Sequence, residues 1–362
     1  MIGLYLALFL ALWCMVPLWF HIPGEPPDDN LEQLAWAHQP AWGYAKHPPF
    51  PSLLLWVVAR VLPNGVWLTY ALGAFDVAIM LFAAFALARE TLDPARAWIG
   101  VLLITCITFY TRRLHFYNHN TALLAAYAVS LLCVWRAVRT GAYGWWAAVG
   151  LCWAVGLLSK YQMIIGIATN LVFIWDSRSR ESARWLWGTM LASATAGLLL
   201  IPHVQWLVAH DFLPLHYAAK YVAAGIAPLD RPMNVAHFIV NQITRVVPLA
   251  LVLGALYWKL QNAGARSTQP TPEATNGEVA RLGRRMLVVH AWGPLLIMSA
   301  LALLFGVDLE MHWGTAFLWM LPLWFLATRP GQRLATLPPL AVSAIVALAQ
   351  LFMLTEFAFL HW

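Results

Sequence analysis

NGVWLTYALGAFDVAIMLFAAFALA, residues 64–88, carries a single charged side chain, Asp76, in a run long enough to cross a bilayer. A spanning helix needs about 20 apolar residues, and in hydrocarbon a helix satisfies its backbone hydrogen bonds within one segment. Similar runs recur at 2–20, 97–110, 119–137, 144–159, 161–175, 185–207, 235–257, 286–305, 313–327 and 335–355, with a short apolar segment at 49–62 that reads as re-entrant or interfacial. This pattern predicts an all-α polytopic membrane protein with about 11 transmembrane helices. Composition agrees, since only 10% of the 362 residues are charged, against about a quarter in soluble proteins. No large soluble domain is expected. The first run lacks a basic leader and a small-residue cleavage site, so it reads as an uncleaved anchor.

Charge orients the chain. With the N-terminus in the cytoplasm, the inner loops hold 14 of the 22 Lys and Arg residues, as the positive-inside rule requires. The net charge of +6 is therefore a topology signal, and nucleic acid is not an expected partner. Most histidines and acidic residues then fall on the outer half, which makes that face the working one. The four cysteines (Cys14, Cys106, Cys133, Cys152) lie inside apolar runs without ligand spacing and read as packing residues. Residues 261–285 are polar and Pro/Gly-containing, a flexible cytoplasmic linker between a 1–260 core and the last helices at 286–362.

The outer loop at 25–50, EPPDDNLEQLAWAHQPAWGYAKHPPF, concentrates the chemistry. Asp28 and Asp29 can supply oxygens to a divalent cation such as magnesium or manganese, or take a proton from a hydroxyl. Equally, Asp-Asp-Asn suits the N-cap of an amphipathic helix over 30–38. Lys46 is a mobile point charge suited to phosphate, or a lysine snorkelling at the interface. Prolines 48 and 49 stiffen the chain beside Tyr44 and His47 where it returns to the membrane. Arg112 and Arg113 run against the positive-inside trend, and Lys160 sits at a turn between two runs. His203 and His210 flank Trp206, an arrangement that interfacial packing also explains. Glu310 and His312, at i and i+2, share no helical face. Asp76, mid-span, is costly as a lone charge, yet it is left outside the catalytic set because protonation or pairing would account for it.

Taken in order, these segments resemble a known family. The acidic pair followed by Trp42-Gly43-Tyr44-Ala45-Lys46-His47-Pro48-Pro49 is similar to the first outer loop of glycosyltransferase family 39 and its relatives, the protein O-mannosyltransferases and lipid A aminoarabinose transferases of the GT-C fold. Phe116-Tyr117-Asn118-His119-Asn120-Thr121, Gly156-Leu157-Leu158-Ser159-Lys160-Tyr161, and Pro202-His203-Val204-Gln205-Trp206-Leu207 with His210-Asp211-Phe212 match further family segments, with a weaker echo at 308–322. The resemblance implies an inner-membrane enzyme that moves a sugar from a polyprenyl-phosphate donor to an acceptor hydroxyl on a glycan, lipid or protein. Transfer would invert the anomeric centre and take place on the periplasmic face. It implies Asp28 as the catalytic aspartate, Asp29 where many relatives have glutamate, and Lys46 at the donor phosphate. At Asn118–Asn120 many relatives carry aspartate, so a cation there is not implied by these residues.

The rival reading is a transporter or flippase of a lipid-linked or small anionic substrate. Against it stand the one-sided polar chemistry and the lack of an internal repeat.

Overall fold

The computed structural model describes residues 2–21, 26–63, 65–177, 183–223, 225–262 and 277–361. Every regular element among them is helical: α1 (Ile2–His21), α2 (Asp28–His38), α3 (Phe50–Val58), α4 (Val66–Thr91), α5 (Pro94–Ile104), α6 (His119–Thr140), α7 (Tyr143–Ser159), α8 (Met163–Ser177), α9 (Arg184–Ala209), α10 (Leu213–Ala223), α11 (Arg231–Asn262), α12 (Glu278–Phe305), α13 (Met320–Ala327), α14 (Arg329–Gln332) and α15 (Pro339–His361). Seven of these, α1, α4, α6, α9, α11, α12 and α15, are long and apolar enough to cross a membrane, while α5, α7 and α8 are shorter apolar helices. The chain is a multi-pass membrane protein. Residues 263–276 of the expected linker lie outside the described residues, and 278–285 already belong to α12.

Helix packing follows membrane rules. The tightest pairs are α6 with α7 and α4, and α7 with α9. Small residues allow the close approach: a Cβ on Gly150 would overlap the Ala192 carbonyl and come within 2.7 Å of Thr195.

The expected span at 313–327 is broken. A 3₁₀ turn, Met311–Gly314, leads through turns into the eight-residue α13. Side chains from three other elements take the carbonyls that a helix ladder would have used. Gln242 Nε2 donates to Met311 O (3.1 Å), Gln162 Nε2 to Trp313 O (2.7 Å) and the Tyr110 hydroxyl to Thr315 O (2.8 Å). Gly314 lies so close to the Gln242 side chain that a Cβ would overlap it. With their acceptors satisfied elsewhere, these residues need no helix.

The amphipathic helix of the first loop begins at Asp28, two residues earlier than expected, with Pro27 at the N-cap and no side-chain cap bond. Asp28 and Asp29 therefore occupy the first turn, where the helix dipole favours carboxylates. Asn30 fastens α2 to the bundle. Fully buried, it donates from Nδ2 to Thr69 Oγ1 (2.8 Å) and to His115 O (2.9 Å), and its Oδ1 accepts from the Tyr117 amide (3.0 Å). One turn on, buried Gln33 accepts from Ser52 Oγ (2.7 Å), and the Tyr117 hydroxyl donates to Pro51 O (2.7 Å).

Replacing Asn30 by Leu removes three buried hydrogen bonds, to Thr69 Oγ1, His115 O and the Tyr117 amide, each worth about 1 kcal/mol or more. The expected outcome is faster hydrogen exchange at Tyr117 and through α2, together with a lower melting temperature in detergent. Unchanged protection at Tyr117 would refute the clamp.

Candidate active site

A cavity of about 760 Å³ opens among α2, the loop after it, the N-terminus of α6, the turn between α7 and α8, α10 and the 306–315 segment. Most of its wall is apolar, but five charged side chains reach it: Asp29, Glu32, Lys46, Arg113 and Lys160. On α2, Asp29 and Glu32 are three residues apart and so share the face that lines the cavity. Asp28, one residue earlier, is exposed and off the wall. Of the two adjacent acids, only Asp29 lines the cavity. The catalytic candidacy therefore moves from Asp28 to Asp29.

Asp29 and the start of α6 are joined. Asn118 Nδ2 donates to Asp29 Oδ2 (2.7 Å), while Asn118 Oδ1 caps α6 by accepting from the amides of Asn120 (2.8 Å) and Thr121 (3.2 Å). The Thr121 hydroxyl returns the bond to the Asn118 backbone, completing a capping box. This cap fixes the amide's direction: oxygen to the helix, nitrogen to the acid. Among the described residues no group of three or more His, Cys, Asp and Glu side chains gathers at metal-binding distance. A hard cation takes six or more oxygens. Here Asp29 meets an amide nitrogen, Glu32 is engaged by Lys46 and Asp28 lies off the wall, so of the pair expected to hold a cation only Asp29 reaches the cavity; magnesium, which keeps several waters, needs only one or two carboxylates.

The cations differ in character. Lys46 Nζ, half exposed, donates to Glu32 Oε1 (2.6 Å), and that bond raises its pKa. Lys160 is buried and donates to Asn120 Oδ1 (2.7 Å). Burial lowers its pKa to about 7, with Glu310 and Asp29 partly offsetting the loss. Arg113 lies 5.0 Å over the Phe116 ring. His47 stacks on His119 with ring centres 3.7 Å apart. Burial first, and the neighbouring Lys160 second, hold the imidazoles of His47 and His312 down to about 3. They are neutral at physiological pH, leaving three cations against two acids on the wall.

The other expected residues lie off the cavity wall. Tyr44 stacks on Trp36 (4.7 Å) and donates from its hydroxyl to Trp36 O (3.0 Å), shaping the loop without reaching the wall. Arg112 forms an ion pair with Glu356 of α15. His203 is buried, its Nδ1 bonded to Trp42 O (2.5 Å) and its Nε2 to the Tyr161 hydroxyl (2.9 Å). Since a carbonyl can only accept, Nδ1 carries the hydrogen. His203 thus staples α9 to the first loop, where Gly43 packs flat on Trp206. His210 stacks on Trp206 (4.1 Å) and is exposed. Glu310 acts on Lys160 through its charge from outside the wall. Asp76 is buried beneath the cavity beside the lining residue Val77, and its Oδ2 has no partner.

Polar wall residues that were not foreseen include Glu32, Gln162, Tyr217 and Thr315. Of these, Glu32 was within reach of sequence reasoning, being one helical turn beyond Asp29.

Residues 46–206 match the family described as dolichyl-phosphate-mannose-protein mannosyltransferase. Two relatives from Rhizobium johnstonii, the lipopolysaccharide core galacturonosyltransferases RgtA and RgtB, are each 26% identical, over 90% and 82% of this chain. The chain spans 64% and 59% of their lengths. The crystal structure of ArnT from Cupriavidus metallidurans, bound to undecaprenyl phosphate, superposes with a TM-score of 0.61 at 15% identity, over 95% of this chain and 61% of that one. The ordered segments, the sequence relatives and the shared helical architecture agree: the chain has a GT-C type fold, and residues 46–206 are similar to the mannosyltransferase family.

Proposed function

We propose that the chain transfers a sugar from a polyprenyl-phosphate donor to an acceptor hydroxyl, with Asp29 as base. One observation carries the reading. A carboxylate, Asp29, and two ammoniums, Lys46 and Lys160, meet on one cavity whose remaining wall is largely apolar. The acceptor oxygen attacks the anomeric carbon and its proton passes to Asp29. The bond from that carbon to the phosphate oxygen breaks, and the phosphate leaves with the electron pair. Lys160, Lys46 and Arg113 stabilise the charge that grows there. A single displacement of this kind inverts the anomeric centre.

The lipid tail has a path. Ile164 and Phe305 line the cavity and are also among the exposed large apolar residues, at 63% and 64% exposure, so the wall continues onto the lipid-facing surface. The cavity is assigned to the periplasmic face of an inner membrane. In support, the opposite helix ends carry Arg89, Arg136, Arg139, Arg184, Arg281, Arg284 and Arg285. An acidic sugar such as galacturonate, named in the two relatives, would bring a second anion for which Arg113 is the available partner. Acceptors on a lipopolysaccharide core follow from the same names.

The first test is transfer from radiolabelled polyprenyl-phosphate sugars, galacturonosyl among them, in membranes. Asp29→Asn should lower the rate by about 10²–10⁴-fold, the usual worth of a general base, whereas Asp28→Asn should leave it near wild type. Loss in Asp28→Asn with Asp29→Asn active would reverse the assignment. No step above passes through a cation, so a chelator should leave the rate unchanged. A fall of about tenfold or more would place a metal ion in the site.

Lys160 supplies a pH dependence. Below its free pKa of about 7 it is charged and ready for phosphate. As pH rises through that value, binding must also take up a proton, so affinity for undecaprenyl phosphate should fall by up to about tenfold per pH unit. His47 and His312 are neutral throughout this range and Lys46 stays charged. Lys160→Gln should bind weakly and without this slope. The same slope in that variant would exclude Lys160 as its source.

A further inference from the structure

Helix α11 carries one charged side chain far from either end. Arg245 is 14 residues from Arg231, where the helix starts, and 17 from Asn262, where it stops. Along the axis that is about 21 and 26 Å. An arginine inside a span is costly and marks a functional site unless a partner accounts for it. Among the described residues Arg245 enters no ion pair, and its buried Nε–H has no hydrogen-bond partner. Its guanidinium lies 4.7 Å over the ring of Phe109, a wall residue of the cavity described above. The Thr108 hydroxyl donates to the Arg245 backbone oxygen (3.3 Å), which fixes α11 to this wall at that residue.

The charges that act on Arg245 are themselves positive, those of Arg113 and Arg112. Arg112 is answered by Glu356 of α15, whereas Arg113, on the wall, enters no ion pair among the described residues. Like charges held together without an acid disfavour one another, and an anion beside them recovers that cost. The lysines form a different group. Lys160 is acted on by Glu310 and Asp29, and Lys46 is held by Glu32. His312 is within electrostatic reach of both Lys160 and Arg113. The wall thus has two cation groups that share one neighbour, the lysines with acids beside them and the arginines with their one acid already paired.

We infer that Arg113 and Arg245 make a second anion subsite, which selects a donor whose sugar ring bears a carboxylate. A guanidinium is a planar fork of donors matched to that group. Arg113 meets the carboxylate at the wall, and Arg245, behind Phe109, adds charge that burial leaves poorly screened. Lys46 and Lys160 remain for the phosphate, so a sugar with the leaving phosphate on one carbon and a carboxylate on another satisfies both groups. The inference rests on the polyprenyl-phosphate donor proposed above and adds what its sugar must carry.

The test is native mass spectrometry of the full chain released from detergent after incubation with polyprenyl-phosphate galacturonate or polyprenyl-phosphate galactose. Wild type should retain the uronosyl lipid about tenfold better, the order of one hydrogen bond to a charged group. Arg245→Gln should shrink that ratio severalfold, while Arg245→Lys, which keeps the charge, should preserve most of it. Arg113→Gln should bring the ratio to about one, which keeps the test decisive should Arg245→Gln fail to fold. A purely structural role for Arg245 lowers both lipids alike, so an unmoved ratio in the Gln variants overturns the proposal. Equal retention of the two lipids by wild type overturns the subsite alone, whereas retention of neither overturns the polyprenyl-phosphate reading and the subsite with it. Selectivity seen only between carboxylate-bearing and neutral acceptors in the transfer assay would move the anion to the acceptor and overturn the donor assignment.

Discussion

One buried amide sets the rotation of α2. Asn30 has its donors and acceptor bonded to Thr69, His115 and Tyr117, none of them near it in sequence. With Asn30 and Gln33 facing the bundle, the residues before each, Asp29 and Glu32, turn to the cavity. Those two before, Asp28 and Leu31, turn to the outside. A helix this short and polar has little stability of its own. Its three faces are sorted by what the middle one is bonded to, and the choice between two neighbouring aspartates follows from that.

The electrostatics of the cavity rest on a second amide. An aspartate at position 118 would put a second carboxylate next to Asp29, and two close carboxylates call for a cation or a shared proton. Asn118 instead gives its oxygen to the α6 cap and its nitrogen to Asp29. Asp29 thereby meets an amide donor in place of a second carboxylate, and cations outnumber acids on the wall. Neutral His47 and His312 line the space between without adding charge, and buried Lys160 carries a proton that an incoming anion would stabilise.

Much of this was legible in the sequence. Apolar runs located ten of the eleven expected helices, because a bilayer demands length and hydrophobicity together. Lys46, His47, Arg113, Asn118, His119, Asn120, Lys160 and His312 do reach the cavity. Where an expected residue misses the wall, a packing partner explains it. Arg112 is turned away by Glu356, His203 is tied to the Trp42 carbonyl, and Tyr44 folds under its own loop. The run at 313–327 has the hydropathy of a span, but side chains of Tyr110, Gln162 and Gln242 take its carbonyls. Hydropathy reports the solvent of a segment and is blind to which partner satisfies its backbone.

The lengths of α7 and α8 explain why Lys160 is buried at all. At 17 and 15 residues they rise about 26 and 23 Å, short of the roughly 30 Å of hydrocarbon that a full span must cross. If their far ends, near the Arg139 and Arg285 belt, lie at the opposite headgroup level, the turn between them stops several ångströms below the near surface. An ammonium at that depth has little contact with water and finds a partner within the protein in Asn120 Oδ1. A soluble anion would have to leave water to meet it. A phosphate delivered on a lipid arrives with its tail already in hydrocarbon, so burying that tail costs little more and the headgroup need only sink to the depth of the lysine. For the lipid-linked donor proposed above, helices this short suit delivery of the phosphate from the bilayer side.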